Sequence, residues 1–181
     1  ELEEAYPGSK IIVIDSKCAS LGQGMLVYLA AREKEKGKSM EEVAEFVRRT
    51  IPHLCHWFTV DDLHHLKRGG RVSAAAAIVG TMLQMKPILH VDDEGRLIPV
   101  SKVRGRKASI KALADRMEEL VEDPSVVFIS HGDCLAEAEE LAEMVRARFH
   151  HQELHINYVG PVIAKHSGPG TMALILQGKH R

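Results

Sequence analysis

Short β-branched apolar runs alternate with amphipathic stretches along this chain, and that alternation limits its fold more than any other feature. Ile11-Ile12-Val13-Ile14 is unbroken and ends in Asp15-Ser16, which reads as a buried parallel strand with polar residues at its C-terminal end. Gly22-Gln23-Gly24 opens an apolar helix through Met25, Leu26, Leu29 and Ala30, closed by a charged turn and Gly37. Ser39 and Glu42 form a capping box. The helix they start places Val43, Phe46, Val47 and Ile51 on one face and stops at Pro52. Residues 56–60 are a second strand, and Asp61-Asp62 caps a short helix running to Lys67.

Composition shifts at Gly69-Gly70. Residues 73–85 are small and apolar, and read as a buried helix or the wall of an apolar cavity, stopped by Pro87. Residues 88–91 and 97–103 flank a turn at Asp92-Asp93-Glu94-Gly95 and predict a β-hairpin. Residues 107–121 predict an amphipathic helix with Ile110, Leu113, Ala114, Met117, Leu120 and Val121 inward. Residues 135–149 predict another, with Leu135, Ala138, Leu141, Ala142, Val145 and Phe149 inward. Strands are expected over 126–130, over 156–163 with a break at Gly160-Pro161, and over 172–176. The fold class is α/β, alternating at first and then a mixed sheet with helices on one side.

Bulk properties exclude several functions. The 181 residues carry a formal net charge of −1, so no global field favours nucleic acid. No apolar run approaches the ~20 residues that span a bilayer. Three scattered cysteines, Cys18, Cys55 and Cys134, argue against a disulfide framework and fit a reducing, cytoplasmic setting. Eleven histidines, His53, His56, His64, His65, His150, His151 and His155 among them, form no zinc motif, so no metal site and no cofactor is expected. Cys55 and Cys134 read as inert thiols. His131 and Asp133 make either an acid–base pair or a turn after a strand. The chain starts without Met, in what reads as the tail of a helix, and is expected to be a fragment.

Two motifs suggest a pocket for a small anion. His166-Ser167-Gly168-Pro169-Gly170-Thr171 is a polar loop between two apolar runs. Its glycines permit positive φ and close approach of a ligand to backbone N–H groups. Arg68-Gly69-Gly70-Arg71 is the second. Arg71 offers a planar fork for a carboxylate or phosphate, and His166 a hydrogen-bond donor. Tight turns account for both patterns equally well. Lys102, Arg104, Arg106 and Lys107 cluster around Gly105, as a phosphate or partner contact or as a solvated face. Aromatics are only 4% and none lies nearby to stack on bases.

In this order, the segments resemble the DegV family. The resemblance rests on Ile11-Ile12-Val13-Ile14-Asp15-Ser16 with Gly22-Gln23-Gly24; Leu66-Lys67-Arg68-Gly69-Gly70-Arg71-Val72-Ser73; Lys86-Pro87-Ile88-Leu89; Lys102-Val103-Arg104-Gly105-Arg106; and His166-Ser167-Gly168-Pro169-Gly170. It covers the C-terminal two thirds of the family. The family's Asp-Ser-Thr start and Thr-Ser-Gln-Pro-Ser loop, whose hydroxyls are expected to bind the carboxylate directly, have no counterpart here. The resemblance implies that residues 1–70 are the C-terminal part of a first, EDD-type α/β domain with a parallel sheet. Residues 71–181 would be a second, two-layer α/β domain with a mixed sheet. It further implies a non-enzymatic protein that encloses a long-chain fatty acid. Members called FakB present the bound carboxylate to a separate fatty-acid kinase that makes the acyl phosphate. Arg71, His166, Ser167 and Gly168 would then hold the carboxylate, and Arg104 and Arg106 would dock the kinase. No nucleic-acid partner is implied, and there is room for a transient membrane contact. Burying ~14 methylenes supplies on the order of 11 kcal/mol before ordering costs, so the tail would carry the affinity. A phosphotransferase acting on a small anion, and an interaction module without ligand, are the alternatives.

Overall fold

The computed structural model describes residues 1–71, 84–149 and 153–181. The helix or cavity wall expected over 73–85 lies outside the described residues except at its end, where Gln84 has φ +72° and Met85 begins a strand. His150 and His151 also lie outside them.

In chain order the elements are α1 (Leu2–Ala5), α2 (Leu21–Glu35), α3 (Met40–Thr50), a 3-10 turn (Ile51–His53) and β1 (Leu54–Thr59). Then come α4 (Leu63–Arg68), β2 (Met85–Val91), β3 (Leu97–Arg104), α5 (Arg106–Leu120) and β4 (Val121–His131). α6 (Leu135–Arg148), β5 (Glu153–Tyr158), α7 (Pro161–Ser167) and β6 (Met172–Gly178) follow. The strands make one mixed sheet in the order β3-β2-β1-β6-β4-β5. Only β4 and β5 run parallel, joined across α6; the other neighbours are antiparallel. The sheet draws on both sides of residue 70, because β1 is hydrogen-bonded to β2 and to β6.

Every residue of β1 is buried, which requires cover on both faces of the sheet. Cys55 and Trp57 face α5 and α6, where Ile110, Leu113, Met117, Leu141 and Val145 pack on Ile129, Leu174 and Leu176. Leu54 faces Met25, Leu26 and Leu29 of α2, with Phe46 and Val47 of α3 behind them. Phe58 and Val60 meet Leu66 of α4. The amphipathic periods of α2, α3, α5 and α6 thus point where their apolar residues do. The capping box also forms: the Glu42 amide donates to Ser39 Oγ and the Ser39 amide to Glu42 Oε2 at 2.8 Å.

Three local expectations are corrected. Residues 11–14 are not a strand but irregular chain without a ladder among the described residues, and Val13 is 85% exposed. Ile12 and Ile14 share a shallow groove with Leu26, Val27 and Val47. β-branched apolar residues supply strand propensity, but a strand exists only with a partner edge. Pro87 does not stop a helix; it lies inside β2, opposite Lys102. β1 pairs β2 only at Trp57–His90 and Phe58–Leu89, so Pro87 stands beyond that ladder, where a missing N–H is tolerated. Finally, Val162 and Ile163 are helical. Gly160 caps α7 and Pro161 takes its first position, where proline's fixed φ suits a helix.

Leu174 is fully buried on β6, between β1 and β4. Leu174→Ala is expected to cost about 2–5 kcal/mol in urea unfolding. Ser39→Ala removes only one end of a capping box and is expected to cost about 1 kcal/mol. Equal losses for the two variants would mean that the sheet centre is not the core.

Candidate functional site

On the α2 side of the sheet an apolar cavity of about 260 Å³ lies under α4 and α7. Phe58, Leu66, Val91, Leu97, Ile163 and Ala173 supply apolar wall. Arg71, His166, Ser167 and Thr171 gather at one end. Strand register shows what lies at the other: Phe58 stands opposite Ala173 and His56 opposite Ile175, four residues along β6 from Thr171. Ser20 joins His56 there, because Gly22 lies directly on the His56 ring.

The polar end is built by glycines. After α4 the chain turns at Gly69 and Gly70, the latter at φ +68°. A Cβ on Gly69 would stand 2.6 Å from His166 Nδ1. Gly168 has φ +79°, and a Cβ on it would meet the His65 ring at 2.7 Å. Gly170 has φ +75°, with the Asp61 carboxyl 2.7 Å from the same imagined atom. Both are left-handed positions without room for a side chain. The loop is also zipped to the end of β4: the Gly170 amide donates to the Gly132 carbonyl, and the Gly132 amide to that of Thr171, each at 2.7 Å. Asp61 is held in turn by Lys86, whose ammonium donates to Oδ1 at 2.7 Å and to the backbone carbonyl at 3.1 Å. The two sequence motifs are therefore one interlocked structure, with Asp61 and Lys86 as its unforeseen parts. Lys86 stood in a motif, but nothing local marked its target.

The four expected ligand residues are together but not equivalent. Arg71 is exposed at the mouth and spends one of its five N–H donors on the Gly69 carbonyl at 2.8 Å. His166 is the penultimate residue of α7, not part of a loop, and its Nδ1 is buried without a partner among the described residues. The Ser167 hydroxyl already donates to the Ile163 carbonyl at 3.0 Å, and the Gly168 amide to that of Ala164 at 2.8 Å. Among the described residues, the ring of His166 and the guanidinium of Arg71 keep unpartnered nitrogens at this end.

Arg104 and Arg106 separate. Arg104 ends β3 and is exposed. The solvated-face reading of the basic cluster is corrected for Arg106, whose side chain is 16% exposed. Its Nε and Nη2 donate to Glu137 Oε2 at 2.9 and 2.7 Å, and Nη1 stands 3.8 Å from Asp61.

His56 was visible in the sequence only as one histidine among many. Its Nδ1 lies 3.1 Å from the Leu54 carbonyl, and burial pushes the imidazole pKa down to about 3, so the ring is neutral. Nδ1 therefore carries the proton and Nε2 a lone pair. Burial also pushes the Cys55 thiol up to about 11, and the thiols of Cys18 and Cys134 upward, which weakens all three as nucleophiles. His131 forms no pair with Asp133; its Nδ1 accepts the Cys134 amide at 3.3 Å. Among the described residues no group of three or more His, Cys, Asp or Glu could hold a metal ion, and no helix is long and apolar enough to cross a membrane.

Comparison with known proteins gives a consistent answer. The family model described as an uncharacterised protein of the DegV family matches residues 1–179. A DegV domain-containing protein of Clostridium perfringens is 46% identical over 98% of this chain and 62% of its own length. The chain thus spans about three fifths of the curated relatives it matches. Among solved structures, a fatty acid binding DegV family protein of Streptococcus agalactiae superposes with a TM-score of 0.83 at 32% identity, over 99% of this chain and 64% of that one. The Streptococcus pneumoniae fatty acid kinase (Fak) B3 protein, loaded with linoleic acid, shares the fold at a TM-score of 0.89 and 22% identity, over 98% and 63%. The chain belongs to the DegV family.

Proposed function

We propose that this protein binds a long-chain fatty acid in the cavity and presents its carboxylate to a separate fatty-acid kinase for acyl-phosphate formation. One observation carries the reading: an apolar cavity opens at its polar end on Arg71 and His166, both with nitrogens left unpartnered among the described residues. A buried carboxylate is strongly unfavourable without charge-assisted partners, and an acyl tail gains from every methylene it buries. The solved Streptococcus agalactiae relative is described as fatty acid binding, which supports the same ligand class here. The fatty acid kinase B3 protein supports the partner, and the chemistry then belongs to the kinase. Arg104, exposed beside Gly105, is the docking cation; Arg106 props the site from within through Glu137 and Asp61.

Mass spectrometry of an organic extract of the purified protein is expected to find long-chain fatty acid in about one-to-one amount. An extract with nucleotide or sugar phosphate and no fatty acid would sink the reading. Arg71→Ala and His166→Ala are each expected to weaken binding of the free acid by about 1.5–3 kcal/mol, and of its methyl ester by much less. Equal losses for acid and ester would show that these side chains shape the mouth without reading charge.

The two arginines are expected to divide on charge reversal. Arg104→Glu slows acyl-phosphate formation with the kinase, most at low salt where screening is least, and leaves fatty-acid affinity near wild type. Arg106→Glu sets like charges side by side against Glu137 and lowers the melting temperature before any partner is added. A stable Arg106→Glu protein that has lost only kinase coupling would reverse the assignment.

A further inference from the structure

We infer that His56, braced by Gly22, is the end-stop that sets which acyl-chain lengths the cavity accepts. The inference rests on the fatty-acid reading above and adds the specificity determinant to it.

The geometry runs along the strands. His56 and Phe58 point to the same face of β1, opposite Ile175 and Ala173 of β6. From Ile175 back to Thr171, at the polar end, is four residues of extended chain, about 13 Å. A carboxylate held at Arg71 and His166 therefore sends its tail past Phe58 and Ala173 toward His56. Val91 and Leu97, cross-strand partners on β2 and β3, flank that far end.

His56 is fitted to close it. The side chain is only 5% exposed, and its ring cannot retreat: the Cβ position of Gly22 lies 1.7 Å from Nε2, so glycine is required for the ring to rest on the α2 backbone. Nδ1 is tied to the Leu54 carbonyl. The ring is neutral and its remaining nitrogen carries a lone pair, not a donor, so the imidazole itself offers an anion nothing. The cavity's guanidinium, Arg71, stands at the other end, so the carboxylate is held there and the methyl terminus meets the imidazole. A fully apolar strand would serve the core as well; a polar ring pinned on two sides is a wall of fixed position.

Two substitutions move that wall in opposite directions. His56→Ala removes it, and affinity should keep rising by about fourfold per added methylene in the series of saturated acids where wild type has reached its plateau. The optimum is expected to move up by roughly two carbons. Gly22→Ala drives the ring into the cavity, and the optimum should move to shorter acids. Affinities of a saturated series are measured by fluorescence displacement on wild type and both variants, with circular dichroism to verify folding. If Gly22→Ala fails to fold, the His56→Ala profile decides alone. His56→Phe, which keeps a ring of similar reach, is the control and should retain the wild-type optimum. Length profiles that coincide in wild type and His56→Ala overturn the end-stop while leaving fatty-acid binding standing. Failure of wild type to bind any acid of the series overturns the binding reading itself.

Discussion

The site depends on one kind of contact: glycine backbone pressed against side chains where the β1–α4–Gly70 segment meets α7 and the loop after it. Gly168 lies on His65, Gly170 on Asp61, and Gly69 on His166. The first two contacts run from the α7–β6 loop to α4 and to Asp61, and the third runs back from the turn after α4 to α7. A methyl group at any of them would force the loops apart, and at Gly168 and Gly170 it would meet an unfavourable φ as well. This lock places Arg71 and His166 at one cavity end without a direct bond between them. Lys86 and Arg106 bear on Asp61 from β2 and α5, so strands and helices far apart in sequence converge on the same loop.

The sheet makes the lock useful. β1 and β6 lie side by side at its centre, and each is followed or preceded by one of the two glycine loops. Both loops therefore emerge at the same end of the sheet, with the apolar residues of the two strands forming a floor between them and His56. On the other face of β1, Cys55 and Trp57 pack under α5 and α6, so the strand is covered on both sides. A rigid floor with a glycine-built mouth suits a long apolar guest carrying one charge.

Legibility followed range. Local signals were readable: the Ser39–Glu42 box, the β2–β3 hairpin, the apolar stripe of α5 and that of α6 all stand where sequence put them, except that Leu135, expected inward at the start of α6, is exposed. Signals that need a partner were not. Ile11-Ile12-Val13-Ile14 has the composition of a buried strand, yet composition cannot say whether an edge waits beside it. Residues 162–163 look like strand but follow a Gly-Pro pair that starts a helix as readily as it breaks a strand. Arg104 and Arg106 are indistinguishable in sequence; only Glu137, 31 residues on, separates the buried one from the exposed one. His56 went unassigned for the same reason, because its meaning lies in Gly22 and Leu54, not in its neighbours.

Buried polar atoms without partners are the sharpest sign that the cavity is more than a packing defect. Six such side-chain atoms occur among the described residues, and four of them, Ser20 Oγ, His56 Nε2, Ser130 Oγ and His166 Nδ1, belong to residues lining this one cavity. Each unmet group costs about 1–3 kcal/mol, and a core assembled for stability alone would satisfy or remove them. A fifth, Arg106 Nη1, lies on the Asp61 prop beneath the mouth. Four unmet groups gathered around one cavity are what a protein shows when part of its stability has been given up to a site, although Thr59, on the face toward α5 and α6, also buries a hydroxyl without a partner among the described residues. The same fold thus carries two kinds of interior: one under α5 and α6 filled mainly by Leu, Ile, Val and Met, and one under α4 and α7 that encloses a cavity.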